Sequence, residues 1–209
     1  MQEPLRTITS FTQLLERRLG DTLPAEDQEN FGFVVAAAKR MSLLISDLLA
    51  YSRVNARGIP FGPVPLERAC TAAMDNLRET IVETGAEVLV GPLPEVTGDS
   101  VQLMQVFQNL IGNSIKFRRP DIPPRVDVSA KRLDGEWIVT VADNGIGVAD
   151  TNQDIFEIFR RLHAAGSFPG SGVGLAICKR IIQRHGGRIW FDSRPGEGAA
   201  FHFSLPAEG

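Results

Sequence analysis

The stretch Gln105-Val-Phe-Gln-Asn-Leu-Ile-Gly-Asn-Ser-Ile-Lys-Phe117 constrains the fold more than any other part of the chain. An α-helix advances about 100° per residue, so Gln105, Asn109, Asn113 and Lys116 fall at roughly 0°, 40°, 80° and 20° around its axis. Leu103, Phe107, Leu110, Ile111 and Ile115 fall on the other side. One face is therefore apolar and packable. The other is a narrow stripe of one glutamine, two asparagines and a lysine. A face that only meets water normally mixes Glu with Lys. Carboxamide oxygens in register suit a hard cation, and a lysine beside them suits phosphate.

The rest of the chain must supply the partner of this stripe. With 209 residues there is room for one or two domains. A hydrophobic share of 43% and a charged share of 22% describe a globular chain. The net charge of −3 and the pI near 5.7 give no general attraction to nucleic acid or to an anionic membrane. No run of 18 apolar residues is present, so direct membrane insertion is not expected. Cys70 and Cys178 lie far apart in apolar-periodic segments, which predicts two small buried thiols in a reduced cytoplasmic protein.

Residues 3–20 read as a helix from the recurrence of Leu5, Ile8, Phe11, Leu15 and Leu19. A loop at Gly20–Pro24 follows. A longer helix then runs from about Ala25 to Val54, with Val34, Ala38, Met41, Ile45, Leu48 and Ser52 as a heptad seam. Two helices cannot bury two seams between them, so the hairpin is expected to pair with a second copy as a four-helix bundle. Asn55–Pro65 holds two glycines and three prolines and reads as a linker. The expected organisation is a helical hairpin over 1–57, a linker over 58–63 and a second domain over 64–209.

In that second domain Leu66 to about Glu83 reads as one amphipathic helix. Glu87–Val90, Arg125–Ala130, Trp137–Ala142, Arg188–Asp192 and Ala199–Leu205 read as strands, most of them antiparallel. Asp154–Arg161 reads as a short helical patch, Leu162–Ser171 as a flexible stretch, and Gly172–His185 as a helix. The fold class is α+β, an α/β sandwich behind the hairpin.

Two further stretches carry chemistry. Asp143-Asn-Gly145-Ile-Gly147 follows directly on a strand. A carboxylate there is an acceptor, so it suits the exocyclic amino group of adenine and disfavours the carbonyl of guanine. Its glycines allow positive φ and close backbone approach. Pro169-Gly-Ser-Gly-Val-Gly174-Leu-Ala opens a helix, and glycines ahead of a helix N-terminus leave N–H groups for phosphate oxygens. The spacing matches neither the GxxxxGK[ST] loop nor a dinucleotide fingerprint.

Taken in order, the Asn/Lys helix, Asp-x-Gly-x-Gly, an aromatic-rich patch and the Gly-x-Gly-x-Gly helix resemble the catalytic domain of sensor histidine kinases. These belong to the ATPase superfamily of gyrase, heat-shock and mismatch-repair ATPases. The resemblance extends to Leu48-Leu-Ala-Tyr-Ser-Arg53 in the hairpin, to Phe156–His163 and to Gly186-Gly-Arg-Ile-Trp190. Gln2-Glu-Pro-Leu-Arg6 and Leu14–Arg18 are most similar to kinases attached to phytochrome or PAS-type sensors.

The resemblance implies roles. Asn113 would ligate Mg²⁺ and Asn109 would support the phosphates of ATP. Lys116 and Arg161 would neutralise phosphate charge. Phe117 would pack on adenine, Asp143 would take its amino group, and Gly145 and Gly147 would shape the floor. Gly170, Ser171, Gly172, Val173, Gly174 and Leu175 would form the phosphate side, with Leu162–Pro169 as a lid. Relatives often carry Glu where Gln105 stands, and a glutamine cannot act as a general base, which argues against simple hydrolysis.

The implied partners are a second copy through residues 1–57, the receiver domain of a response regulator, and an upstream sensor domain. The phosphoacceptor histidine of the family would fall two positions before Met1. His163, His185 and His202 are expected as surface or capping residues and do not replace it. The helical opening points to a piece of a longer kinase; a histidine-less relative that only binds nucleotide or regulator is the alternative.

Overall fold

The computed structural model describes residues 3–19, 24–56, 60–148, 154–160 and 171–207. Helices α1 (Glu3–Leu19) and α2 (Ala25–Ala56) form the expected antiparallel hairpin. Arg17 and Arg18 in the last turn of α1, and Glu26 and Asp27 in the first turn of α2, match the helix dipoles. The Pro24 carbonyl accepts from the N–H groups of Asp27 and Gln28. Within the hairpin only part of the seam is covered. Ala38 is 1% exposed, whereas Val34, Met41 and Leu48, seven residues apart, are 46–48% exposed. On α1, Ile8, Phe11, Leu15 and Leu19 are exposed as well.

The stretch read as a linker contains a strand. β1 (Gly62–Pro65) pairs antiparallel with β3 (Glu95–Gly98) and places Val64 opposite Val96 in the core. Four-residue strands rich in Gly and Pro carry no alternation long enough to read; the pairing comes from burial of two valines. The expected single helix after it is two. Leu77, with φ −99° and ψ 4°, separates α3 (Leu66–Asn76) from α4 (Arg78–Thr84). Its N–H is shared between the carbonyls of Ala73 and Met74, a tightening of the last turn. Gly85, at φ 63°, ends α4 in the left-handed conformation.

The main sheet follows the alternation of the sequence. It runs β2 (Glu87–Val90), β4 (Arg125–Leu133), β5 (Glu136–Asp143), β7 (Gly198–Pro206), β6 (Ile189–Arg194), in that spatial order. β2 lies parallel to β4 and the other pairs are antiparallel. Asp134 and Gly135, both at positive φ, make the two-residue turn between β4 and β5. Val126, Val128, Phe201, Phe203 and Leu205 point to one face and are buried. Onto that face pack α5 (Ser100–Lys116) and α6 (Gly174–Arg184), and α3 packs against α5 and the β1–β3 pair. Phe107 of α5 meets Phe203 edge-on at 5.8 Å, inside a core that also takes Leu66, Ile111 and Ile181.

Three expectations change. Residues 154–160 form turns and not a helical patch, because Phe159 sits at φ 65°, outside helical space. His185, expected as a surface or capping residue, is the C-cap of α6 and is not on the surface: it is 4% exposed. His202 does alternate to the outer sheet face, but it is partly covered there, stacked on Trp190 and bonded to Thr140. Cys70 and Cys178 are free and buried, and burial pushes both thiols up to about 12, far from reactive thiolates.

Candidate functional site

α5 displays the two faces its sequence predicts. Asp99 caps it, its carboxylate accepting from the N–H groups of Val101 (3.1 Å) and Gln102 (3.2 Å). Leu103, Phe107, Leu110, Ile111 and Ile115 are fully buried. Gln105, Asn109, Asn113 and Lys116 instead line a cavity of about 370 Å³, a size that suits a small-molecule ligand. Phe117, which ends the helix, lines it too, with Lys116 Nζ 4.5 Å above its ring centroid.

The turn after β5 forms another wall. Asp143 Oδ1 accepts from the N–H groups of Gly145 (2.9 Å) and Ala199 (3.1 Å). Burial raises the proton affinity of this carboxyl; those two N–H groups and the Ser114 hydroxyl lower it. The glycines are required by space. A Cβ on Gly145 would lie 2.6 Å from the Phe117 carbonyl oxygen, and one on Gly147, at φ 67°, 2.1 Å from that of Arg194. Gly198, which the sequence reading passed over, is as necessary: at φ 98° its Cβ would lie 1.9 Å from the Asp143 carbonyl oxygen.

The start of α6 makes the far side. Ser171, Gly172, Gly174 and Leu175 line the cavity, and a Cβ on Gly174 would come within 3.1 Å of Asn109 Oδ1. Val173 lies in the same loop, but its side chain is fully buried in the core and it does not line the cavity. Arg161, Gly170, His163 and the lid Leu162–Pro169 lie outside the described residues. Gly145 stands behind the Asp143 carboxylate and not on the cavity surface.

This arrangement, a carboxamide helix facing a half-buried carboxylate and a glycine-opened helix, is accompanied by two family matches. Residues 98–209 match the family "Histidine kinase-, DNA gyrase B-, and HSP90-like ATPase", and residues 1–57 match "His Kinase A (phospho-acceptor) domain". The chain belongs to the histidine kinase family. Among its relatives are Cyanobacterial phytochrome A of Nostoc sp., 48% identical over 100% of this chain and 27% of that protein. Phytochrome-like protein Cph1 of Synechocystis sp. is 42% identical over 99% of this chain and 28% of its own length. The chain thus spans about a quarter of these curated relatives. Among solved structures, full-length ShkA in complex with AMPPNP aligns with a TM-score of 0.71 at 28% identity, over 98% of this chain and 43% of that one. The mycobacterial sensor histidine kinase MprB aligns at 0.60 and 30% identity, over 70% and 97%.

The histidine kinase chain also brings residues to the cavity that sequence reasoning missed. Leu43 and Asp47 of α2 line it, and Ser171 Oγ donates to the Asp47 carboxylate. The same end of α2 is held by Arg180, 4.5 Å over the Tyr51 ring, and by Gln102 Nε2, which donates to the Val54 carbonyl at 3.2 Å. No local pattern could show this, because it depends on how the hairpin docks. Arg160 lines the cavity beside its ion-pair partner Glu157. The aromatic patch is tied to α6 by Asp154, which accepts from Lys179 Nζ (2.8 Å) and the Phe156 N–H (3.0 Å). No helix among the described residues is long and apolar enough to cross a membrane.

Proposed function

We propose that this chain is the dimerisation and catalytic core of a sensor histidine kinase, and that its cavity binds Mg-ATP. The observation that carries the reading is the facing of two chemistries across one cavity. Asp143 offers an acceptor at one wall, and the Asn109, Asn113 and Lys116 stripe meets the glycine-opened start of α6 at the other. Adenine fits the first with Phe117 against its ring, and phosphates fit the second. Asn113 would hold Mg²⁺, which supplies charge neutralisation for the phosphates when bound. Among the described residues no group of three His, Cys, Asp or Glu side chains could hold a metal ion, so the ion would rest on a carboxamide and on phosphate oxygens. Arg161 and the loop through Gly170 would complete the phosphate side.

In the intact protein the γ-phosphoryl would pass to a neutral imidazole nitrogen and then to an aspartate of a response-regulator receiver domain. Helices α1 and α2 contain no histidine. His185 is buried, and His202 lies on the outer sheet face. This chain is therefore expected to bind nucleotide without becoming phosphorylated. Titration calorimetry should show Mg-dependent binding of ATP that Asn113→Ala weakens by about tenfold or more. Incubation with γ-labelled ATP should leave no acid-labile label on the chain; such a label would overturn that part of the reading. Binding that is indifferent to Mg²⁺ and to Asn113 would overturn the site.

A further inference from the structure

Ser193 stands at the end of an apolar row. Ile189, Phe191 and Ser193 alternate onto one face of β6, and the first two pack against the core. A third apolar side chain would extend that packing. The hydroxyl instead uses both of its bonding roles on backbone groups of other segments. Its oxygen accepts from the Val148 N–H at 2.8 Å, and it donates to the Gly198 carbonyl at 2.8 Å. The Gly198 carbonyl and the Ala199 N–H belong to one planar trans peptide group, so they point in opposite directions. That N–H donates to Asp143 Oδ1 at 3.1 Å. Gly198, at φ 98° and without a Cβ, leaves this peptide group freer to rotate than another residue would. Ser193 grips its carbonyl end. The bond from Val148 pins the end of the turn that begins at Asp143. Asp143, Gly147, Val148 and Ala199 all line the cavity.

We propose that Ser193 is a positioning residue for the base end of the cavity: one hydroxyl fixes both the peptide group that donates to Asp143 and the turn that carries Asp143. This rests on the reading of the cavity as an ATP site and deepens it. Ser193 does not itself line the cavity, so it acts on a nucleotide through these groups alone. Without the hydroxyl, the Val148 N–H and the Gly198 carbonyl lose the atom that joins them, and the turn and the start of β7 can part. The peptide group after Gly198 can then swing its N–H off the carboxylate, leaving the Gly145 N–H as the backbone donor on Oδ1. Asp143 selects a 6-amino group over a 6-carbonyl only while its acceptor stays aimed at that position. A site loosened in its supporting contacts loses that aim before it loses its fold. The carboxamide stripe of α5 belongs to the opposite wall and shares none of these bonds, so the defect falls on the base and spares the metal and phosphate end.

The test measures binding of Mg-ADP and Mg-IDP, which carry a 6-amino and a 6-carbonyl group on the same scaffold, to the whole 209-residue chain by calorimetry. Ser193→Ala should reduce the ADP-over-IDP preference about fivefold, the scale of one hydrogen bond, chiefly by weakening ADP. The Mg²⁺ dependence of ADP binding should stay as it is. Ser193→Thr keeps the hydroxyl on a residue that suits a strand and should restore the preference. Ser193→Cys, a weaker donor of similar size, should fall between the two and carries the same comparison if the alanine variant does not fold. A lower melting temperature with the preference intact, or an equal loss for both nucleotides, would overturn the role given to Ser193. An unaltered chain that binds neither nucleotide would overturn the reading of the cavity itself.

Discussion

In the proposed site Asp143 would carry the base-side chemistry, and its own turn and β7 together hold it there. The Gly145 and Ala199 N–H groups fix one oxygen, and Gly198 lets the backbone of β7 approach so closely that any side chain there would collide with the Asp143 carbonyl. The residue is held in place whatever occupies the cavity, which is preorganisation in the simple sense: the acceptor does not have to be ordered on binding. Asp143→Asn keeps the size and puts an N–H where the acceptor stood. We expect it to weaken ADP binding by about tenfold to a hundredfold, the loss of a hydrogen bond to a charged group, with the melting temperature of the free chain changing little. Calorimetry with ADP decides it; unaltered affinity would remove Asp143 from the binding site.

At the scale of elements, the end of α6 is joined to the start of β1 and α5 through His185. The Asp99 N–H donates to Nε2 at 3.0 Å, so that nitrogen carries a lone pair. Nδ1 therefore carries the proton and donates to the Ile181 carbonyl at 2.8 Å. Phe61 stacks on the ring at 4.4 Å, Arg184 lies over Phe61, and Arg184 pairs with Asp99 at 3.3 Å. Burial first, then the neighbouring Arg184 charge, lower the pKa of His185 below the ordinary 6.5, against the opposing bond to Ile181 and the charge of Asp99.

The imidazole is thus neutral in the folded state and gains its proton more readily on unfolding. Its contribution to stability is complete above pH 6.5 and is lost as the pH falls through its lowered folded value. Urea unfolding of the chain and of His185→Gln should show the difference between them shrinking as the pH is taken from 8 to 5. Subtracting the variant removes the carboxylates from the comparison. A difference that stays constant over that range would show that His185 is not held neutral.

At the scale of the molecule, the hairpin is incomplete alone and the cavity is incomplete without the hairpin. Val34, Met41 and Leu48 repeat at seven residues and remain about half exposed, and Phe11 of α1 is 62% exposed. Such a stripe is what a second hairpin would cover. Val34→Glu with Met41→Glu is expected to convert a species of twice the 22.8 kDa protomer mass into a monomer, read by sedimentation. Nucleotide affinity should change little, since neither residue lines the cavity. A monomeric unaltered chain would refute the pairing. Farther along the same helix, Leu43 and Asp47 close the cavity and Ser171 holds Asp47. A carboxylate at the end where Asn109 and the glycine loop would receive phosphates means that docking of α2 and entry of a polyanion act on the same space.

How much of this could be read before folding depends on distance along the chain. The stripe from Gln105 to Lys116 was legible because helical pitch alone brings i, i+4 and i+8 to one side, and the main strands were legible because alternation is set by the pleat. The split at Leu77 and the turn at Phe159 were not, since each is a single backbone angle imposed by packing. The strand pair of Gly62–Pro65 with Glu95–Gly98 escaped because neither half has a pattern without the other. By itself the sequence determined the chemical identity of the cavity: carboxamides and a lysine on one helix, a carboxylate in a glycine turn, and a glycine loop before a helix. Only the tertiary structure decided which oxygen of Asp143 is already used, that His185 is buried, and that α2 supplies a wall. Those facts are relations between segments tens of residues apart, and covalent geometry constrains such relations only after the core has closed around them.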